Sequence, residues 1–281
     1  MTEMIHLNDT TLVAQSPFEL RVNLGGDVGE LDVRRALATG EMGFLHSFTT
    51  GSSVDGPGVR VVAWTTGCQF RCQYCHNPDT WNMTNGIPAT LERATNELRK
   101  YRHGLQVMSG GFTLSGGEPL MQDRFAVKLL AAAHKMGIHT ALDTNGSLGD
   151  RLSDAELENI DLVLLDIKGW NPERHFKLTG AQIAPVLDFA RRLSAQKKPV
   201  WVRFVLVPGL TDVPEDISFI AKFAAGLGNL ERVDVLPFHQ MGRFKWKDLK
   251  LSYPLDVVQP PTRRLVESVC LQFRAEGLTT Y

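Results

Sequence analysis

Long apolar runs, a basic leader segment and a strong net charge are all missing from this sequence. No apolar stretch of about 18 residues occurs, so no membrane-spanning helix is expected. The amino-terminal segment MTEMIHLNDTTLVAQ lacks a basic region followed by an apolar run, so we expect no secretory signal. The formal net charge is −1 and the sequence pI is about 6.7, which favours neither nucleic acid nor an anionic membrane as a partner. We expect a cytoplasmic protein.

Cysteine is scarce and unevenly placed. The chain has four cysteines, of which Cys68, Cys72 and Cys75 lie close together while Cys270 stands alone. A secreted disulfide framework would use more cysteines and would spread them along the chain. Clustered cysteines in a cytosolic chain indicate a metal site or redox chemistry instead. Cys270 has apolar neighbours, and we expect it to be a packing residue.

The chain divides into two parts with different patterns. Residues 1–42 carry scattered apolar residues, and we interpret them as a partly disordered amino-terminal extension with one short helix near Leu31–Leu37. The glycines of Gly25–Gly29 do not lie between a clear strand and a helix, so a turn is favoured over a phosphate-binding loop. Residues 43–281 are long enough for a full hydrophobic core and form the predicted core domain.

Strand-like and helix-like segments alternate along the core domain. The predicted strands, which are apolar and rich in β-branched residues, are Val59–Thr66, Phe112–Ser115, Ile138–Leu142, Leu162–Ile167, Val200–Val207 and Val233–Pro237. The segments with helical spacing are Thr90–His103, Gln122–Met136, Asp154–Asn159, Ile183–Gln196, Pro214–Leu227 and Thr262–Ala275. This alternation indicates a parallel sheet of the α/β class. Six units predict a partial (β/α)6 barrel, and a doubly wound sheet is the alternative.

Both faces of the predicted strands are apolar in places. Trp201 and Phe204 fall on opposite faces of one strand, as expected when helices cover a parallel sheet, and we give both a core role.

Polar or glycine-rich residues follow every predicted strand. The carboxyl ends of parallel strands are where functional groups gather in β/α folds. In chain order these segments are Cys68–Asn77, Ser115–Pro119, Asp143–Gly146, Asp166–Lys168, Pro208–Gly209 and Phe238–His239. Their agreement with the rule is stronger evidence for an active site than any single motif.

The most specific motif is C-x3-C-x2-C at Cys68, Cys72 and Cys75. Iron–sulfur clusters bind thiolates, usually four, and this loop supplies three, so a [4Fe–4S] cluster would keep one iron open for another ligand. A zinc site that adds His76 is an alternative, although two adjacent residues rarely bind one metal ion. A third reading treats the cysteines as core residues, but the loop is polar.

The cysteine motif, followed by S-G-G-E-P, resembles the radical S-adenosylmethionine (SAM) superfamily. Further motifs resemble, within it, the activases of glycyl radical enzymes of the pyruvate formate-lyase type. These motifs are V-D-G-P-G-V-R at Val54–Arg60, Y-C-H-N at Tyr74–Asn77, D-T-W at Asp79–Trp81, Y-R-H at Tyr101–His103, D-T-N-G, L-D-I-K and L-P-F-H. The resemblance covers residues 43–280 and implies a radical SAM barrel.

The resemblance implies the chemistry and its ligands. An electron from the cluster would cleave SAM, and the resulting 5′-deoxyadenosyl radical would take a hydrogen atom from a glycine of the partner enzyme. The SAM-contacting residues implied by the family are Tyr74, Cys75, His76, Gly117, Asp166, Ile167, Lys168 and His239.

Two further sites are implied by the same family. Asp143, Thr144 and Asp166 offer oxygen ligands for a monovalent cation, K+ or Na+, beside SAM. The family has methionine where this chain has Leu164, and because that residue would contribute only its carbonyl oxygen, the difference matters little. The residues that would meet the partner's peptide are Val54, Asp55, Gly56, Pro57 and Gly58.

The implied partners follow from the same resemblance. They are a glycyl radical enzyme, namely pyruvate formate-lyase of anaerobic glucose metabolism, and a flavodoxin or ferredoxin-type electron donor, and we expect a monomer. The alternatives are an activase of another glycyl radical enzyme, a different radical SAM enzyme, a zinc-stabilised binding module and a plain electron carrier. The absence of extra ferredoxin-like cysteines favours the pyruvate formate-lyase type. A plain carrier would not need Ser115–Pro119 or Asp143–Gly146.

Overall fold

One sheet organises the protein, whose computed structural model describes residues 33–281. The strands are β1 Met42–Ser52, β2 Arg60–Thr65, β3 Ile87–Thr90, β4 Gly111–Gly116, β5 His139–Thr144, β6 Leu162–Asp166, β7 Val200–Leu206 and β8 Leu230–Pro237. Their order across the sheet is β3-β1-β2-β4-β5-β6-β7-β8. The six strands from β2 to β8 in this order run parallel, whereas β1 is antiparallel to both β2 and β3. The predicted set of six parallel β/α strands is therefore confirmed.

The helices lie between and after these strands. They are α1 Val33–Thr39, α2 Leu91–Arg99, α3 Arg102–Val107, α4 Asp123–Lys135, α5 Asp154–Leu157, α6 Pro172–Thr179, α7 Ala184–Ala195, α8 Pro214–Ala225, α9 Arg243–Asp248 and α10 Arg263–Ala275. Among the helices of residues 33–281, none has the length and apolar character needed to cross a membrane.

Side chains alternate between the two faces of the parallel strands, as a period of two residues requires. The outer face joins the large core under the helices, to which Leu165 and Phe204 belong. The opposite face, which we call the inner face, carries a separate apolar cluster composed of Ala141, Leu162, Leu164 and Trp201. Trp201 and Phe204 are both buried and lie on opposite faces, as predicted.

The inner face becomes polar toward the carboxyl ends of the strands. Asp143, Asp166 and Arg203 each lie two residues beyond a member of the inner apolar cluster. Asp166 and Arg203 are also register partners on β6 and β7. Strand alternation and register together therefore place two carboxylates and one guanidinium side by side.

Four elements were not predicted from the sequence: β1, β3, α6 and α9. Strand β1 has register shifts between Leu45 and Ser47 and between Thr50 and Ser52, which break the alternation that a sequence pattern would show. Helices α6 and α9 have only eight and six residues, too few for a clear helical period. The segment predicted as one helix over Thr90–His103 forms two helices, α2 and α3.

The amino-terminal helix packs on the core domain. Helix α1 overlaps the short helix predicted near Leu31–Leu37. It ends at Thr39 and is followed by Gly40, whose φ is +74°. A Cβ atom at this position would lie 2.4 Å from the main chain of Arg124 in α4, so only glycine permits the approach. The predicted turn at Gly25–Gly29 and most of the predicted extension lie outside the described residues, and the boundary at residue 42 stays a prediction.

The carboxyl terminus covers the edge of the last strand. The amide of Val233 donates to the carbonyl of Thr279, and the amide of Tyr281 donates to the carbonyl of Val233. These bonds pair part of the β8 edge, which would otherwise present free main-chain groups to other chains.

Candidate active site

The cysteine loop follows β2 and is held from two sides by main-chain hydrogen bonds. The amide of Cys68 donates to the carbonyl of Trp81, and the amide of Arg71 donates to the carbonyl of Thr179 at the end of α6. Within the loop, the amide of Cys75 donates to the carbonyl of Cys72. Three thiols thus lie on one anchored loop, whereas Cys270 is buried in the core on α10, as predicted.

The three thiols of the loop suit an iron–sulfur cluster better than a single metal ion. Burial raises the pKa of the Cys72 thiol to about 12, and it also raises the pKa of Cys68 and Cys75, so the free thiols hold their protons at neutral pH. Metal binding must release those protons. Within residues 33–281, no three His, Cys, Asp or Glu side chains are grouped to hold one metal ion. A four-iron cluster does not require such grouping, because its thiolates bind different irons.

Unpaired buried polar atoms lie beside this loop. The Tyr74 hydroxyl, the Gln69 Oε1 and the Asn145 Nδ2 are buried without a hydrogen-bond partner in the described part of the chain. An unsatisfied buried polar group costs about 1–3 kcal/mol. Such atoms, at the end of a parallel sheet and next to three thiols, are available to a polar ligand.

Glu118 joins the loops after β4 and β5. Its carboxylate accepts hydrogen bonds from the amides of Leu120 (3.0 Å) and Asn145 (2.8 Å), and from the hydroxyl of Thr144 (2.8 Å). Burial raises its pKa to about 7, and these donors only partly offset the effect. Glu118 belongs to the S-G-G-E-P motif, but the sequence did not show that it connects two loops.

The main chain of Gly117 packs closely against the main chain of Gly67 in the same region. A Cβ atom there would lie 2.5 Å from the carbonyl oxygen of Gly67, next to Cys68. Its amide donates to the carbonyl of Thr65. The motif therefore packs directly on the start of the cysteine loop.

Lys168 is positioned between an acid and an aromatic ring. Its ammonium lies 2.8 Å from a carboxylate oxygen of Asp166 and 5.6 Å from the ring centre of Tyr74. Burial alone would lower the pKa of Lys168, but Asp166, Tyr74 and Cys72 outweigh it and raise that pKa. The lysine therefore stays charged, above the ring of Tyr74.

Arg203 connects the predicted cation site with the predicted peptide loop. Its guanidinium lies 3.0 Å from Asp143 and 3.8 Å from Asp55. Burial alone would lower its pKa, but Asp143, Asp166 and Asp55 outweigh burial and raise it. Sequence reasoning gave Arg203 no role. Its inner-face position was the available signal.

Two predicted site residues direct their side chains elsewhere, because they fall on the outer face. The Thr144 hydroxyl donates to Glu118, so it does not join the carboxylates of Asp143 and Asp166. Ile167 is fully buried in the outer core, and only its main chain is available to a ligand. Strand alternation explains both side-chain orientations.

The predicted peptide loop is only partly exposed. Val54 is 66% exposed, whereas Asp55 is 6% exposed and Gly56 is also buried. Pro57 is half-buried and Gly58 is exposed. The loop precedes β2, and the carbonyl of Asp55 accepts a hydrogen bond from Thr113 Oγ1 at 2.6 Å. The loop therefore anchors its acid inside the barrel and leaves its tip outside.

The segment after β8 closes over the cysteine loop. The ring of His239 contacts the ring of His76 edge to face, with 4.2 Å between the ring centres. In α9, the Trp246 indole donates to the carbonyl of Cys75 at 2.9 Å. The short helix α9, missed by sequence reasoning, is therefore part of the site.

Comparison with known proteins agrees with this geometry. The family model of the Radical SAM superfamily matches residues 62–224. Two curated relatives bear the name pyruvate formate-lyase-activating enzyme: one from Listeria monocytogenes is 41% identical, and one from Staphylococcus epidermidis is 42% identical. Each alignment covers 80% of this chain. It covers 93% of the Listeria protein and 92% of the Staphylococcus protein.

A solved structure supports the fold. Streptococcus suis SuiB bound to precursor peptide SuiA matches with a TM-score of 0.59 and 18% identity, over 78% of this chain and 48% of SuiB. Together with the family match, this confirms the predicted barrel of radical SAM type.

The first prediction concerns the three thiols. Replacing Cys68, Cys72 or Cys75 singly by Ala should abolish iron binding, because no other cysteine lies near the loop to replace the lost ligand. Iron content and visible absorbance of the anaerobically reconstituted protein measure this. Cys270→Ala is the matched control and should keep its iron. Full iron content in Cys72→Ala would contradict the assignment.

The second prediction concerns Glu118. Glu118→Gln should lower the free energy of unfolding by about 1–3 kcal/mol, because an amide NH2 would face backbone donors. The carboxyl has a raised pKa, so its contribution to stability is greatest below its unfolded pKa and is lost as pH rises to about 7.

Denaturant unfolding between about pH 5 and about pH 8 measures this effect. This range brackets the Glu118 pKa of about 7. The stability difference between the wild type and Glu118→Gln should grow as pH falls. The exposed Glu215→Gln should change stability by less than about 0.5 kcal/mol. A difference that does not vary with pH would refute the titration of Glu118.

Proposed function

The chain belongs to the radical SAM superfamily and, within it, to the family of the pyruvate formate-lyase-activating enzymes, and we propose that it generates a glycyl radical on pyruvate formate-lyase. Cys68, Cys72 and Cys75 would hold a [4Fe–4S] cluster, which when bound supplies the electron that splits SAM into methionine and a 5′-deoxyadenosyl radical. The observation that carries the proposal is the position of the three-thiol loop against a buried, charged strand-end site.

We propose that the strand-end residues bind and orient SAM. The charged Lys168 is suited to the SAM carboxylate, and the unpaired Tyr74 hydroxyl is available to a polar group of the same ligand. His76, His239, Gly117, Asp166 and the main chain of Ile167 border the same region and complete the proposed SAM site.

The peptide of the partner enzyme would approach through the loop Val54–Gly58. Its exposed tip suits contact with another chain, and Asp55 links the loop to Arg203 and Asp143 inside the barrel. The target glycine could thereby reach the inner face while the loop adjusts around it.

The remaining expectations stay proposals. We propose that the protein works as a cytoplasmic monomer, and that a flavodoxin or ferredoxin-type protein supplies its electrons. The near-neutral net charge supports no role for nucleic acid.

The direct test of the function is a third prediction. The anaerobic protein, incubated with SAM, a reductant and pyruvate formate-lyase, should produce a glycyl radical signal in electron paramagnetic resonance and an equivalent of 5′-deoxyadenosine by chromatography. Asp55→Asn should lower glycyl radical formation at least about tenfold more than partner-free SAM cleavage, a difference of about 1.4 kcal/mol.

The exposed Ser53→Ala, immediately before this loop, is the control and should leave both rates near wild type. Equal losses of both activities in Asp55→Asn would assign the residue to the SAM site or to folding. SAM cleavage without any glycyl radical would refute pyruvate formate-lyase as the partner.

A monovalent cation at Asp143 and Asp166 would bind together with SAM. In the structure both acids already have cationic partners, Arg203 and Lys168 respectively. If Lys168 turns to the SAM carboxylate, Asp166 loses its partner and becomes able to bind a cation. Binding of SAM and of the cation would then be mutually reinforcing.

This coupling gives a fourth prediction. Replacing potassium by tetramethylammonium should weaken SAM binding in the wild type, because the bulky cation does not fit between two carboxylates. Lys168→Met should weaken SAM binding and also lose most of the potassium dependence, since Asp166 is then unpaired even without SAM. Calorimetric titration measures both. A wild type indifferent to the cation would exclude the site.

A further inference from the structure

A basic surface with exposed apolar side chains follows β8. We call residues 240–251, which include α9, the α9 surface. It carries one acidic residue, Asp248, and four basic residues, in a chain whose net charge is −1. The basic residues are Arg243, Lys245, Lys247 and Lys250.

Part of this charge is free for a partner. Arg243 pairs with Asp256, and Lys245 pairs with Asp79. Lys247 and Lys250 are exposed, and within residues 33–281 neither side chain has an ion-pair partner. These two lysines are the charges most available to an approaching protein.

Apolar side chains are exposed among the lysines. Met241 is 70% exposed and Phe244 is 42% exposed, and Leu249 and Leu251 are exposed as well. Apolar groups inside a ring of charge are typical of surfaces that bind other proteins. Charge of one sign with a small apolar centre suits a fast, transient encounter.

The α9 surface is attached directly to a cysteine of the predicted cluster. Trp246, buried beneath the surface, donates its indole N–H to the Cys75 carbonyl at 2.9 Å. Its ring lies edge to face on Trp81, with 5.1 Å between ring centres, and the Trp81 indole hydrogen-bonds the Cys75 thiol. One layer of aromatic side chains therefore separates Cys75 from the surface.

A second contact fixes the helix over the loop. The Lys245 ammonium lies 3.0 Å from Asp79 and 2.8 Å from the Asn77 side-chain oxygen, just beyond the cysteine motif. Asp79 also contacts His46 of β1 at 2.9 Å. These contacts fix the position of the α9 surface relative to the cysteine loop.

We propose that the α9 surface is the docking site of a small acidic one-electron carrier protein, for which flavodoxin serves as the probe. The proposal rests on the proposed function, which needs an electron from outside the chain. One electron would leave the reduced carrier, which would be oxidised by one electron, and would reduce by one electron the cluster that Cys68, Cys72 and Cys75 would hold. Electron transfer weakens steeply with distance, so the carrier must dock where a cluster ligand lies near the surface.

The position of the surface favours the carrier over the glycyl radical enzyme as occupant. The loop proposed to meet that enzyme, Val54–Gly58, precedes β2, whereas the cysteine loop follows β2. The two loops therefore lie at opposite ends of one strand. An electron donor docked on α9 leaves the peptide loop uncovered.

Charge reversal on the surface tests the proposal as the fifth prediction. The double variant Lys247→Glu, Lys250→Glu should slow reduction of the cluster by reduced flavodoxin at least about tenfold at low salt, because electrostatic steering is reversed. Reduction by photoreduced 5-deazaflavin, an uncharged donor, should keep the wild-type rate. Anaerobic stopped-flow absorbance measures both rates. Lys135→Glu on α4, also exposed and without an ion pair in residues 33–281, is the matched control and should behave as wild type.

Salt gives an independent readout. The flavodoxin rate of the wild type should fall as ionic strength rises, and that of the double variant should not. Unchanged flavodoxin rates in the double variant, with normal deazaflavin reduction, would overturn the docking site alone. A loss of glycyl radical formation with deazaflavin as donor would assign the surface to the glycyl radical enzyme and likewise overturn it. A wild type that accepts electrons from neither donor would overturn the proposed function as well.

Discussion

The inner face of the sheet holds three carboxylates around one guanidinium, and the site depends on this arrangement. Asp55 and Asp143 both contact Arg203, and Asp166 is its register partner. Like charges about 4 Å apart repel by about 4 kcal/mol at an effective dielectric constant of 20. Burial raises the pKa of Asp143, and the positive charge of Arg203 opposes that rise. A buried ion pair that loses one partner typically costs about 3–5 kcal/mol. One side chain therefore unites residues from a loop and three strands.

A second buried group fixes the loops above this face. Glu118 accepts hydrogen bonds from residues of the loops after β4 and β5, and Gly117 packs on the start of the cysteine loop. The cysteine loop is also held by α6 and by Trp246 of α9. Thiols that must keep fixed positions while electrons and ligands come and go are thus supported on several sides by hydrogen bonds and close contacts.

The topology places the proposed donor surface and the proposed peptide loop at opposite ends of β2. The cysteine loop and α9 lie beyond the carboxyl end of β2, whereas Val54–Gly58 precedes its amino end. Arg203 and Asp55 connect the two regions through the inner face. Under the proposed function, a donor protein and a peptide substrate would therefore bind different surfaces near the same cysteine loop.

The sequence by itself determined the parallel β/α fold, the family and the cysteine loop, because strand period, motif spacing and chemistry are local properties of the chain. It also placed Trp201 and Phe204 on opposite faces, since alternation needs only the strand's direction. The irregular strand β1 and the short helices α6 and α9 escaped detection, because their patterns are too short or too interrupted to show a period.

Only the tertiary structure decided which side chains meet. It directed Thr144 to Glu118 and buried Ile167, both on the outer face, and it brought Arg203 to Asp55 across about 148 residues of sequence. It also set Trp246 of α9 against Cys75. Such contacts depend on strand order and on the packing of distant loops, and no local pattern encodes these.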